Sequence, residues 1–243
     1  MADFRDKLYE QYFNNQSGRR LNKVLSEKIR ENWKQLRHEI LPLMPTDKTS
    51  KILDIGCGFG EWLVLLKENG YGNGEGIDIS KEQIETAHSL GINNVQVANV
   101  FEYLSNKQNT FNCITGIDII EHFSKDELVH LLELVKKSLT ENGMAIFRTP
   151  NMDGILASVY AYGDFTHQCL INYSSAQQLG LSCGFSHVEV LPSYIYVNGT
   201  VKEMIRKLFW WQFKLYTRLA LFASGRSTKG VLFTPNLLLI VKK

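Results

Sequence analysis

The sequence has no Cys-x-x-Cys pair. Its four cysteines, Cys57, Cys113, Cys169 and Cys183, stand far apart, which argues against a zinc ribbon or a disulfide framework and fits a reducing compartment. It also has no apolar run of the roughly 18 residues that a bilayer crossing needs, and its start, MADFRDKLYE, is charged and lacks an apolar signal core. Neither secretion nor a transmembrane anchor is expected, and a cytoplasmic chain is. Charge imbalance is slight, 27 Lys plus Arg against 25 Asp plus Glu, so nucleic acid is not expected as an obligatory partner. Apolar residues are plentiful: 44% of 243 residues are hydrophobic, enough for one sizeable core.

The most informative stretch is Lys51 to Trp62, KILDIGCGFGEW. An apolar strand runs directly into Gly56, Gly58 and Gly60 before an apolar-periodic helix begins. Glycine is needed where the backbone takes positive φ or lets a ligand touch the main chain, and three in five residues exceed what a connecting loop requires. A ligand-binding turn is expected here.

Before this stretch, residues 1–48 read as a helical extension: Phe4, Leu8 and Tyr12 share one face, Leu21 to Ile40 continue at helical spacing, and Pro42 and Pro45 end it. With Tyr9, Tyr12, Phe13, Arg19 and Arg20 it is a candidate lid; plain packing on the sheet is the alternative. Residues 49–243 alternate strand and helix, the signal for a parallel sheet covered on both faces. Strands are expected near 51–55, 74–79, 95–98, 111–117, 143–148, 186–191 and 236–241, with helices near 60–69, 81–89, 124–139 and 174–183. Ser80, Ser124 with Glu127, and Ser174 mark helix starts. Two connections, 150–172 and 192–230, exceed what a compact domain needs. Both leave the strand ends at which open α/β sheets bind ligands, so they are expected to build a substrate site.

A Gly-x-Gly-x-x-Gly turn would suggest a dinucleotide. This chain has Asp54-x-Gly56-x-Gly58-x-Gly60 instead, and with it resembles the class I S-adenosylmethionine-dependent methyltransferases. The resemblance continues through Gly76-Ile77-Asp78-Ile79-Ser80, Ala98-Asn99-Val100-Phe101, the strand ending in Ile117-Asp118-Ile119-Ile120-Glu121-His122, Asn142-Gly143 to Pro150-Asn151, and Gly184-Phe185. It implies a Rossmann-like, seven-stranded mixed sheet with the last strand antiparallel, and S-adenosylmethionine as cofactor. It further implies that Asp54, Gly56, Cys57, Gly58, Phe59 and Gly60 form the cofactor loop and that Asp78, with Ile79 beside it, accepts both ribose hydroxyls. Asn99 would offer the adenine an acceptor where the family usually has Asp, Val100 and Phe101 would flank the ring, and Ile117 and Asp118 would lie beside the methionine part.

A sulfonium methyl is already activated, so the protein must align an acceptor and, for a hydroxyl, remove a proton. His122 and His167 are the candidate bases, since histidine titrates near neutral pH. Structural roles are the alternatives: a hydrogen bond to the cofactor loop for His122, a bond to Asp164 for His167. No paired ligand spacing points to a metal.

Val201 to Ala223 reads as a helix rich in Trp and Phe, with five basic residues against Glu203 alone. That combination describes a helix lying in a membrane interface, which would make the chain peripheral on the inner membrane face; a helix packed on the sheet or a partner subunit is the alternative. The resemblance within the class is to O-methyltransferases of sugar and surface-polysaccharide pathways and to quinone-type enzymes. It implies a small-molecule acceptor, a lipid- or nucleotide-linked saccharide, with a quinol as the alternative. A nicotinamide oxidoreductase, a non-catalytic cofactor-binding module and a macromolecular methyltransferase are the rival classes.

Overall fold

The computed structural model describes residues 34–243. The proposed lid residues lie outside that range, as does the apolar face of Phe4, Leu8 and Tyr12. Of the expected N-terminal helix, 34–39 is seen, with Leu36 and Ile40 buried against the sheet domain. A 3₁₀ turn at Leu41–Leu43, opened by Pro42, ends it.

From there the chain runs β1 (Ile52–Ile55), α1 (Glu61–Glu68), β2 (Gly74–Asp78), α2 (Lys81–Ser89), β3 (Val95–Val97), α3 (Val100–Ser105), β4 (Phe111–Ile117), α4 (Lys125–Ser138) and β5 (Leu139–Pro150). It continues through α5 (Ala157–Ala161), α6 (Tyr173–Ser182), β6 (His187–Pro192), α7 (Thr200–Ala223) and β7 (Asn236–Lys242). The sheet order is β3-β2-β1-β4-β5-β7-β6. All neighbours are parallel except β7, which runs antiparallel to both β5 and β6. β6 is therefore parallel to β5, and the segment that follows it leaves the same sheet edge as the turns after β1, β2 and β4.

The sheet is covered on both faces, as its nearly continuous apolar strands require. One core layer is built around Leu53, Phe111, Ile114, Leu131, Phe147 and Leu239, the other around Ile52, Trp62, Leu66, Ile146 and Ile240. Ser80 caps α2 by accepting from the N–H of Gln83, and Ser124 and Glu127 form a complete capping box on α4.

Three expectations need correction. Helix α6 is capped by Asn172, whose side chain accepts from Ser175 N, so the cap lies two residues before Ser174. Strand β5 extends beyond 143–148 at both ends, starting at Leu139, which pairs with Phe111 of β4, and keeping its register with β7 to Pro150. A short helix not expected from the sequence, α3, follows the third strand and carries Val100 and Phe101. Asn99 causes this, since its Oδ1 accepts from the N–H groups of Phe101 and Glu102 and starts a helix there.

Candidate active site

The three glycines after β1 all hold positive φ, 68° at Gly56, 54° at Gly58 and 84° at Gly60. Space is as restrictive as conformation at two of them. A Cβ on Gly56 would stand 2.9 Å from the Ile119 side chain, and one on Gly60 2.9 Å from Ile92. The loop is tied to the end of β2: Gly56 N donates to Ile77 O at 2.8 Å, and Gly58 N to Asp78 Oδ2 at 2.9 Å. Asp78 Oδ1 in turn accepts from Ser80 N at 2.8 Å. Burial raises the Asp78 pKa, and the Ser80 and Gly58 N–H groups oppose that shift.

Asp54 lies beneath the loop. It accepts from Thr115 Oγ1 at 2.7 Å, and Thr115 Oγ1 accepts from Trp62 Nε1 at 3.2 Å. Burial pushes its pKa up to about 7. The Cys57 side chain is buried between this loop and Gly76, and Phe59 packs beside the Trp62 core.

A cleft of about 260 Å³ opens between the ends of β1, β2 and β4. Among the sequence candidates, Gly56, Asp78, Ile79, Asn99, Val100, Phe101 and His122 line it. Asp54, Cys57, Gly58, Phe59, Gly60, Ile117, Asp118 and His167 are not part of that lining. Sequence reasoning passed over Ile119, Phe123 and Glu127 as site residues, and they line the cleft together with Ile55, Ile77 and Ala98 from the strand ends. A more open cavity of about 560 Å³ lies at the opposite edge, lined by Lys51, Asn73, Glu75 and Asn94. Parallel sheets place ligands at the carboxyl ends of their strands, so the smaller cleft is the candidate site.

Asp118 is held at φ 54° by Arg148, whose Nε donates to Asp118 Oδ1 at 2.9 Å while Nη2 donates to Oδ2. Arg148 Nη1 also reaches Glu39 Oε2 at 3.4 Å. Burial works against the guanidinium charge, but Asp118 and Glu39 more than offset it, so its pKa is raised. A basic residue in the apolar run AIFRTP was the available signal for this network.

Beyond the cleft, two loops converge. His122 ends the segment after β4, and His167 lies in the connection after β5. Their rings meet edge to face with centroids 4.9 Å apart. The second loop is clipped to the first by Gln168 N and Cys169 N, which donate to Glu121 O, and by Gln168 Nε2, which donates to His122 O. His122 Nδ1 lies 2.8 Å from Thr166 Oγ1, which donates to Asp164 Oδ1 at 2.6 Å. His167 bonds Asp164 through its backbone, N donating to Asp164 O at 3.4 Å, while its ring Nδ1 lies 2.9 Å from Ala161 O and the Asp164 carboxylate is taken by Thr166. Burial and the neighbouring His167 push the His122 pKa down to about 4. Glu121 is buried, accepts from Thr149 Oγ1 at 3.0 Å, and has its pKa raised by burial and then by Asp118.

A family model described as a methyltransferase domain matches residues 25–190. The chain belongs to this family. Its sheet order and glycine turn are those of the class I S-adenosylmethionine-dependent methyltransferase fold. A SAM-dependent methyltransferase from Archaeoglobus fulgidus superposes with a TM-score of 0.66 at 24% identity, covering 90% of this chain and 98% of that one. One from Thermotoga maritima gives 0.65 at 14% identity, covering 97% and 98%. The demethylmenaquinone methyltransferase of Bacillus pumilus is 30% identical over 118 residues, 45% of this chain and 46% of that protein. The chain spans about half the length of the curated relatives it matches.

Proposed function

We propose that this methyltransferase-family chain transfers a methyl group from S-adenosylmethionine to a hydroxyl of a saccharide, carried on a lipid or a nucleotide. The observation that supports the cofactor most directly is the Asp78 carboxylate at the end of β2, fixed by two backbone N–H bonds at the mouth of a cleft with apolar walls. An adenosyl group has a flat apolar base and a vicinal diol, and this cleft presents a partner for each. Asp78 would take the diol, since each carboxylate oxygen accepts more than one hydrogen bond. Ile79, Val100 and Phe101 would flank the base, and the glycine loop would carry the amino-acid portion, with Asp54 fixing it from beneath. Asn99 Oδ1 is engaged as the α3 cap, so its amide N–H₂ is the group it can turn to the base.

When bound, the cofactor supplies a methyl already activated for transfer. The protein is left to align the acceptor and make its oxygen nucleophilic. Of the two candidate histidines, His122 lines the cleft and His167 does not, so the acceptor would meet the protein at His122.

Helix α7 favours an acceptor presented at a membrane surface. The side of α7 turned to the protein carries Glu203, Arg206, Trp210, Lys214 and Thr217, with Arg206 paired to Glu203 at 2.6 Å. Its outward side carries Val201, Met204, Leu208, Trp211, Leu215, Leu219 and Phe222. Among the described residues nothing buries any side chain of this helix. An apolar outer face flanked by the exposed Lys207 and Arg218 suits an anionic bilayer interface, and none of the described helices is long and apolar enough to cross one.

A quinol acceptor is the second reading, supported by the likeness to the demethylmenaquinone enzyme. Labelled S-adenosylmethionine incubated with lipid-linked and nucleotide-linked saccharides, quinols and amines decides between them. Transfer to a saccharide hydroxyl is expected, and transfer confined to quinols rejects the saccharide reading.

A further inference from the structure

We infer that Glu121, His122 and His167 together bind one divalent transition-metal ion of the zinc, manganese or cobalt type, at the acceptor end of the cleft. These residues come from two loops, and each offers one ligand atom within 4.8 Å of the others. No ligand spacing is visible along the chain because 44 residues separate the first histidine from Thr166, the residue next to the second.

Three observations point to an ion rather than to a simple polar contact. Both imidazoles are oriented from behind through Nδ1, His167 by the carbonyl of Ala161 and His122 by Thr166, itself held by Asp164. Backing of this kind fixes tautomer and ring direction in metal-binding histidines. With Nδ1 against Ala161 O, the His167 ring turns its Nε2 toward the Glu121 carboxyl group, so a cation between them would meet a ligand atom from each. The distance agrees: His167 Nε2 and Glu121 Oε1 stand 4.0 Å apart, too far for a hydrogen bond. Ligands about 2.1 Å from a tetrahedrally coordinated ion stand about 3.4 Å apart, so this pair must close by about 0.6 Å and the widest by no more than about 1.4 Å, within reach of side-chain rotation.

Two imidazoles and one carboxylate select first-row transition ions over magnesium or calcium, which prefer all-oxygen sites. Glu121 is almost fully enclosed, and His122 leads from the ion toward the cleft. An ion there would lower the pKa of an acceptor hydroxyl reaching past His122. That role rests on the methyl-transfer reading above, whereas the binding site does not.

The test uses the full chain, stripped with a chelator and titrated with Zn²⁺ by calorimetry and with Co²⁺ by visible absorption. One equivalent is expected to bind, with a Co²⁺ spectrum of nitrogen and oxygen ligation. Glu121→Gln and His167→Ala should each weaken binding by at least about 100-fold, and Thr166→Val, which removes only the support behind His122, by about 10- to 100-fold. S-adenosylhomocysteine binding confirms that each variant is folded. Should a variant fail to fold, Mn²⁺ broadening of histidine ring resonances in the unaltered chain decides. Broadening of His122 and His167 supports the site, and broadening centred on other histidines overturns it. Absence of saturable binding also overturns it, leaving a proton shared between His167 and Glu121. Metal binding without methyl transfer to any acceptor would retain the site and reject the activity.

Discussion

Arg148 and Asp118 are joined twice, once through side chains at the ends of β5 and β4 and once through the backbone, where Asp118 N donates to Arg148 O at 2.9 Å. The pairing holds Asp118 at a left-handed φ that non-glycine residues seldom adopt, and so sets the path of the chain into Ile119, Glu121 and His122. Glu39, on the helix before β1, lies on the same guanidinium and also accepts from Tyr194 N at 3.2 Å. One buried arginine thus connects the N-terminal helix, the loop after β4 and the start of the segment that leads to α7.

Replacing Arg148 by Met leaves Glu39 buried without its cation. Loss of one partner of a buried pair costs about 3–5 kcal/mol, and the half-exposed Asp118 places the expected loss toward the lower end. Arg148→Lys should recover only part of it, because an ammonium cannot span both carboxylates in the same geometry. Urea unfolding measures both; equal stability of the Met variant and the parent would show that the network carries no net stabilisation.

Asp78→Ala should weaken S-adenosylhomocysteine binding by on the order of 1–3 kcal/mol, the range for hydrogen bonds to a charged group. The loss has two sources, the diol contact and the loosening of Gly58 N and Ser80 N, which both donate to this carboxylate. Asp78→Asn keeps one acceptor oxygen and should lie between the two. Calorimetry showing unchanged affinity in the Ala variant would remove Asp78 from the cofactor site.

His122→Ala should lower turnover by about 100-fold or more while cofactor affinity stays within a few-fold. The prediction rests on position: His122 lines the cleft from the segment after β4, whereas Asp78 lines it from the end of β2. Single-turnover methyl transfer at saturating cofactor is the measurement. An unchanged rate would mean that the acceptor's proton leaves without help from this side chain.

Much of this arrangement was legible in the sequence because its signals are local. The alternating glycines after β1, the acid at the end of β2 and the caps at Ser80 and Ser124 are each written within a few residues. Helix α3 was missed because six residues show no usable period and Asn99 has a second use as a cap. The meeting of His122 and His167 and the double pairing of Arg148 join segments far apart in the chain, so no spacing rule applies to them. The outward turn of the apolar side of α7 was equally hidden, because periodicity shows that a helix has two faces but not which one the body covers.

Asp54 gives a pH-dependent prediction. Its carboxyl keeps its proton in the folded chain to about pH 7 and loses it near 3.8 when unfolded. Between those values the folded state binds more protons, so stability falls as pH rises through the window and levels off above about 7. Asp54→Asn keeps a partner for Thr115 and removes the titration. Its stability should equal the parent's near pH 4 and exceed it by a few kcal/mol, on the order of three pKa units, above pH 7. Thermal midpoints across pH 4–8 test this, and parallel curves for the two proteins would show that Asp54 ionises normally in the fold.

The full chain should sediment with vesicles rich in anionic lipid and much less with neutral ones. Each basic side chain near such a surface contributes about 1 kcal/mol, so raising the salt should release the protein. Charge alone does not explain the helix, however, because its outward row of Leu208, Trp211, Leu215 and Leu219 would otherwise stay in water. Burying one leucine is worth about 1.5–3 kcal/mol, so the double substitution Leu208→Glu, Leu215→Glu should abolish sedimentation even at low salt. Both side chains point away from the described body, so thermal stability should be unchanged. A helix that instead pairs with a second copy would show no vesicle binding and a dimer that the same substitution dissociates. Because α7 leaves the sheet edge that carries the cleft, bilayer binding would hold the acceptor end of the site at the surface where a lipid-linked saccharide lies.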